Sequence, residues 1–269
     1  MTMPTVAAGH ARLALTGRPD GRAGFREALA SEWTKLCTVR STVCTVAVLA
    51  VLTPAIAVFV GLTGSLQPDD TVLGGSLTGA TVAQLAAAVL GVLVVSPEYG
   101  TGLVRTTLAA CPRRSTVLGA KAMLVAAVTS VVAAGGCTLA YGIGAALLAG
   151  GGHRQGEPVP AVPGVALSIA LVGMLGVAFG AILRSAAGGI STVFAIMLVP
   201  PLLGPLFGDW QGWVVGATPA AAVQKLAQSS DASADVAGSL GAWPSLALAA
   251  GYTAAALAAA GWLLRTRDA

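Results

Sequence analysis

Six long stretches of the chain contain no Asp, Glu, Lys or Arg: 41–62, 74–95, 122–149, 164–183, 187–207 and 244–264. At a rise of about 1.5 Å per residue, about 20 helical residues cross a hydrocarbon core of about 30 Å. Each stretch therefore predicts a membrane-spanning helix, and the fold class is an all-α integral membrane protein with six transmembrane helices. The third stretch is too long for a straight crossing and would extend about 42 Å. It must tilt, break near Gly135-Gly136, or protrude as a stalk. In the fifth, Pro200, Pro201 and Pro205 withhold backbone donors and predict a kinked outer half, with Pro54 a milder case in the first.

The segments between the spans have patterns of their own. Residues 1–23 mix Gly, Ala, Pro and Arg without periodicity and read as a disordered basic arm preceding a single transmembrane domain over 24–269. Over 24–36, Phe25, Leu29, Trp33 and Leu36 recur at helical spacing, with Arg26, Glu27, Glu32 and Lys35 on the other side. This predicts a short amphipathic helix lying flat in the membrane interface before the first span. The loop at 96–121 reads SPEYGTGLVRTTLAACPRRSTVLGAK. Pro97 is expected to end the second span, because Glu98 is unfavourable at a helix C-terminus and suits a new helix start. Thr101 can cap a short helix to about residue 110, stopped by Pro112, with Leu103, Val104, Thr107 and Leu108 on one face and Arg105 elsewhere. Such an element either docks in a partner's groove or is an ordinary solvated loop. Residues 208–243 predict re-entrant or interfacial helices capping the outside of the bundle.

Composition narrows the class. Only 26 of 269 residues are charged, against about 25% in soluble domains, and a soluble fold of this size could not solvate its surface so sparsely. The four cysteines form no CxxC pair, so a disulfide framework or metal site is not indicated. Of the 15 basic residues, 13 fall on residues 1–40, the 96–121 loop, Arg184 and the tail, and only Arg154 and Lys225 lie on the other side. By the positive-inside rule both termini are cytoplasmic. Trp33 and Trp262 fall near inner span ends, and Trp210, Trp213 and Trp243 near outer ones, as an aromatic belt requires. The net charge of +4 then reflects anchoring to an anionic inner leaflet and not nucleic-acid binding, with Arg113, Arg114 and Lys121 fixing the end of the third span there.

The chemistry that is missing points the same way. None of the three lysines, Lys35, Lys121 and Lys225, stands in a GxxxxGK[ST] motif, so the chain has no P-loop of its own. No ionisable side chain other than cysteine or tyrosine falls in a predicted span, and Gln84 is the most polar residue there, which disfavours ion-coupled carriers. The cytoplasmic acids Asp20, Glu27, Glu32, Glu98 and Asp268 are too dispersed for a paired-carboxylate site, and His10 and His153 lie on opposite sides. No enzyme is expected. Gly75xxxGly79, Gly176xxxGly180 and the Ala/Gly-rich last span suit close helix packing, either within the bundle or in a dimer.

Two stretches carry a family resemblance. Residues 27–57, EALASEWTKLCTVRSTVCTVAVLAVLTPAIA, and residues 98–121, EYGTGLVRTTLAACPRRSTVLGAK, resemble the ABC-2 type permease family of bacterial ABC transporters. The resemblance implies a connecting helix entering the first span, with Phe25, Leu29, Glu32, Trp33 and Lys35 on it. It implies a coupling helix seated on an ATPase subunit, formed around Glu98, Tyr99, Gly100, Thr101, Gly102, Leu103, Arg105 and Leu108. It favours docking over the solvated loop. ATP and magnesium would bind a separate ATPase chain and no cofactor this one; two permease copies, identical or different, would alternate access in the bacterial plasma membrane. The loop lacks the EAA-type motif of many importers, so export is expected. The alternative is a membrane protein without transport activity, an immunity or scaffold factor that binds no ATPase. Lipids, hydrophobic drugs and peptides all suit the charge-free spans as cargo.

Overall fold

A computed structural model describes residues 24–66, 69–100, 114–148 and 151–266. The arm at 1–23 and the loop residues Thr101, Gly102, Leu103, Arg105, Leu108 and Arg113 lie outside the described residues. Among those described, all regular structure is helical. Six helical segments are long and apolar enough to cross a membrane, making this a multi-pass membrane protein.

Helix α1, Phe25–Thr38, turns at an extended Val39 into α2, Arg40–Thr63. The second span is divided into α3, Val72–Leu77, and α4, Gly79–Gly100. Thr71 caps α3 by accepting from the Gly74 amide at 2.9 Å, the usual role of a threonine just before a helix. Helix α5 spans Arg114–Leu147 and α6 Pro158–Leu183. Helix α7, Ala186–Leu203, passes into a 3₁₀ segment, Gly204–Trp210. Short helices α8, Gln211–Gly216, α9, Pro219–Leu226, and α10, Ala234–Ala237, precede the last span, α11, Ala242–Thr266.

Helix α6 is the hub. It packs on α4, α5, α7, α9 and α11, and 72% of its most apolar window is buried. Glycine makes the α4–α6 contact possible: Gly91 meets the Gly173 carbonyl, Gly176 meets the Ala88 carbonyl, and a Cβ at Gly180 would lie 3.3 Å from the Val92 Cα. At Gly79 a Cβ would come within 2.9 Å of the Thr53 Cα on α2. The Gly79, Gly176 and Gly180 positions thus serve packing within this chain. The small residues of α11 differ, since Ala254, Ala255, Ala258 and Ala259 are exposed and nothing approaches Gly251.

One sequence expectation is overturned, one open choice narrows and one expected kink is located. The second span does not end at Pro97: α4 continues to Gly100. Proline withholds only one helix bond, the one owed to the Leu93 carbonyl. The Lys121 ammonium donates to the neighbouring Val94 carbonyl at 3.1 Å. The third span does not break at Gly135-Gly136. Helix α5 runs through both glycines for 34 residues, about 51 Å of helix. Gly136 lies against the Ala50 carbonyl and Pro54 of α2, so it allows close approach and is no hinge. In the fifth span α7 passes Pro200 and Pro201 as helix, and the change of geometry comes at Gly204–Trp210, where Gly208 takes a positive φ of 53°.

The segment between the fifth and last spans inserts among the span ends. Thr218 caps α9 by accepting from the Ala221 amide, and Pro219 through Val223 are all buried. Gln84 of α4, fully buried, donates to the Pro219 carbonyl at 3.2 Å and to the Ser168 hydroxyl of α6 at 3.0 Å. The NH₂ of this amide therefore ties two spans and α9 together, while its Oε1 has no hydrogen-bond partner among the described residues. All five tryptophans are more than half exposed; four flank the ends of α7 and α11, and Trp33 lies on α1.

Candidate functional site: a buried four-charge cluster

Helix α1 places its buried stripe on Ala28, Glu32 and Leu36, four residues apart, against α5 and α2. The corner after it is pinned by the Thr42 hydroxyl, within 2.8 Å of both the Leu36 and Val39 carbonyls. This corrects the faces expected from sequence. Phe25 and Trp33 point outward, at 40% and 52% exposure, Leu29 is half-buried, and Glu32 is 2% exposed. A helix taken alone sorts its faces by residue type, but Glu32 is covered by partners arriving on two other helices.

Those partners are Glu98, in the last turn of α4, and Lys121, in the third turn of α5. Lys121 lies 2.6 Å from Glu32 Oε2 and 2.9 Å from Glu98 Oε1. Lys35 lies 2.7 Å from Glu32 Oε1 and 2.7 Å from the same Glu98 oxygen. Each lysine thus touches both carboxylates, and the ring of two acids and two bases is neutral. Lys121 is 3% exposed; it does not anchor at an anionic leaflet, and it places a charge within the third span helix. Burial of this kind is tolerated when every charge is paired and hydrogen-bonded. Glu98 at a helix C-terminus is unfavourable by its dipole, and the two ammonium groups offset that.

Burial works against the charged form of Lys35, but its hydrogen bonds to Glu32 and Glu98 prevail and raise its pKa above the ordinary 10.5. Its stabilising contribution is present in full below that value and is lost only as the pH rises through the raised one. Lys225 of α9 behaves oppositely. It donates to the Leu240 carbonyl at 2.7 Å and to Ser245 at 3.3 Å, and burial lowers its pKa below 10.5. The native state gives up this proton before the unfolded chain does, so stability rises as the pH climbs toward 10.5. Thermal unfolding in detergent at stepped pH is expected to show that rise in the wild type and a smaller one in Lys225→Met.

Of the expected coupling residues, Glu98 sits in the cluster and Tyr99 beside it. The Arg184 guanidinium, at the end of α6, stands 5.4 Å from the Tyr99 ring centroid, a cation–π contact. Arg184 itself closes α6 in a left-handed conformation, φ 53°, with its amide bonded to the Gly180 carbonyl. Gly100 ends α4. Of the expected connecting-helix residues, Glu32 and Lys35 join the cluster, while Phe25 and Trp33 face away from it. Lys121 is the residue that sequence reasoning placed elsewhere; it lies 23 positions from Glu98 and 89 from Glu32, beyond any local periodicity. Among the described residues, no three His, Cys, Asp or Glu side chains converge as metal ligands.

The arrangement is mechanical in character. Glu98 and Lys121 lie on either side of residues 101–113, and both are tied to α1, Glu98 through Lys35 and Lys121 through Glu32. The two flanks of that loop and the helix entering the first span are thereby held as one unit. No protein-family model, curated protein or solved structure matches the chain.

Proposed function

We propose that this chain is the permease subunit of an ATP-driven exporter in the bacterial plasma membrane, with both termini cytoplasmic. ATP and magnesium belong to a separate ATPase chain, and a second permease copy completes the pathway. The observation that carries this reading is the four-charge cluster. A loop that receives force from a partner must pass it to the spans, and here both flanks of the loop are joined to α1, one by the buried Lys121–Glu32 pair and the other by the half-exposed Lys35–Glu98 pair. Motion delivered between them reaches α4, α5 and the start of α2 together. The lack of a P-loop and the charge imbalance between the two sets of loops support the same reading.

The test is recovery of the ATPase encoded in a neighbouring reading frame with this chain, from detergent. Leu108→Asp is expected to lower that recovery and abolish transport while the chain still inserts in the membrane. Co-purification of Leu108→Asp at wild-type yield with transport intact would reject docking through this loop. Failure of the wild-type chain to bind any ATPase would favour a membrane protein without transport activity.

A further inference from the structure

We infer that the groove between α5 and α11 holds one acyl chain of an anionic phospholipid, with the lipid phosphate on Arg265. The start of α5 and the end of α11 lie side by side but pack on each other only lightly. A groove of about 410 Å³ stands between them. Gly119 and Ala122 belong to its α5 wall, and Ala258, Gly261, Trp262 and Arg265 to its α11 wall. Spacings of three and four residues keep each set on one helix face. Four of the six are glycine or alanine, and the bulk they lack is what opens the groove.

Trp262 and Arg265 lie in the last two turns of the last span and set the mouth at headgroup level. The innermost lining residue, Leu257, is nine residues before Thr266, about 14 Å along the helix. The groove thus runs from the headgroups into the hydrocarbon, as one acyl chain does. Charge selects the head of the occupant. Arg265 is exposed, and among the described residues no acid pairs with it. Its guanidinium stays charged at any physiological pH and presents donors that match a phosphate. The rest of the lining is apolar apart from the Trp262 indole N–H, which can donate to a headgroup or ester oxygen. A free phosphate would leave that apolar wall uncovered, whereas a chain covers it. A basic residue in a last helical turn ordinarily answers the helix dipole alone; the groove beneath this one supplies a ligand. Gly119 and Ala122 flank Lys121, so the chain lies against the turn of α5 that carries the four-charge cluster. That the lipid belongs to the inner leaflet rests on the cytoplasmic placement of this end; that it binds does not.

Native mass spectrometry of the full chain, equilibrated in detergent with equimolar phosphatidylglycerol and phosphatidylcholine, counts the lipids retained. The wild type is expected to keep one phosphatidylglycerol in preference. Arg265→Gln is expected to lower that retention about 5-fold, the worth of one basic residue against an anionic surface. Gly261→Leu keeps every charge but fills the groove, since a Cβ there meets only the end of Leu118 at 3.9 Å; a comparable loss is expected. Arg40→Gln removes an exposed arginine at the start of α2, outside the groove, and is expected to leave retention unchanged. Arg265 is at the surface, so its variant is expected to fold and decides the matter even if Gly261→Leu is not recovered. Equal losses in Arg265→Gln and Arg40→Gln, equal retention of the two lipids, or unchanged retention in Arg265→Gln would overturn the site. A lipid-free wild-type dimer that Gly261→Leu dissociates would give the groove to a second copy and overturn it as well. No ATPase enters the measurement, so its failure leaves the export reading standing, and failure to bind an ATPase leaves the site standing.

Discussion

Lys121→Met is expected to destabilise the folded chain by about 3–5 kcal/mol, the magnitude found when one partner of a buried ion pair is removed. The loss is not that of one contact. Glu32 is 2% exposed and would be left with Lys35 alone beside it, while Glu98 would lose one of its two ammonium partners. Glu32→Gln made alone leaves the opposite imbalance, two lysines facing one carboxylate. The double variant restores neutrality, because Lys35 and Glu98 remain 2.7 Å apart as a pair. It is therefore expected to be more stable than Lys121→Met by about 1–3 kcal/mol, a coupling typical of residues in one network. Unfolding by SDS titration of the four proteins in the cycle measures the coupling directly. Additive losses would show that Glu32 and Lys121 do not share the buried network. The same double variant bears on the proposed export function: it releases the loop flank at Lys121 from α1 while keeping the flank at Glu98, so on that proposal transport is expected to fall even where the fold is retained.

Gly176→Leu is expected to prevent recovery of folded protein, the largest effect of any single substitution in the bundle. A Cβ at this position meets the Ala88 carbonyl and comes within 3.2 Å of the Gly91 Cα. These are backbone atoms of a packed helix and cannot turn aside as a side-chain end can. The only relief is to part α4 from α6, the two most buried spans, where overpacking typically costs about 1–3 kcal/mol and more when backbone must shift. Gly91→Ala, which drives a methyl into the Gly173 carbonyl, is expected to show the smaller version. Gly135→Ala supplies the control. Nothing lies within 4 Å of a Cβ there, so the change is expected to be neutral or stabilising by up to about 1 kcal/mol through helix propensity. Size-exclusion profiles and melting temperatures of the three variants test the contrast. Equal yields of Gly176→Leu and Gly135→Ala would rule out the close α4–α6 contact.

The spans were legible because a membrane leaves a one-dimensional signature. An uncharged run of sufficient length has few alternatives in hydrocarbon, where backbone groups must be bonded within the helix. Six such runs stand in the sequence, and six spanning helices stand in the structure, with ends shifted where local context intervenes. Pro97 and Pro200 show the limit of single-residue rules. Pro97 looked like a terminator and Pro200 like part of a kink, and each is carried within a helix, since each removes one backbone bond among many. Gly135-Gly136 was one of three ways to fit an overlong span, beside tilt and protrusion, and Gly176xxxGly180 looked like either a bundle or a dimer contact. Only the neighbouring helix decides whether a glycine is a weak point or a docking surface.

The charged residues divide along the same line. Their scarcity and uneven distribution along the chain, read without coordinates, determined the membrane class and predicted the sidedness. What Glu32, Lys35, Glu98 and Lys121 do was decided by the tertiary structure. In sequence they read as one solvated helix face, a loop start and a leaflet anchor. In space they form a single neutral ring that joins three helices. Hydrophobic runs can be read locally because the bilayer acts on each residue alike. An ion pair depends on which charge lies opposite, and residues 89 positions apart become neighbours only once the helices between them have packed.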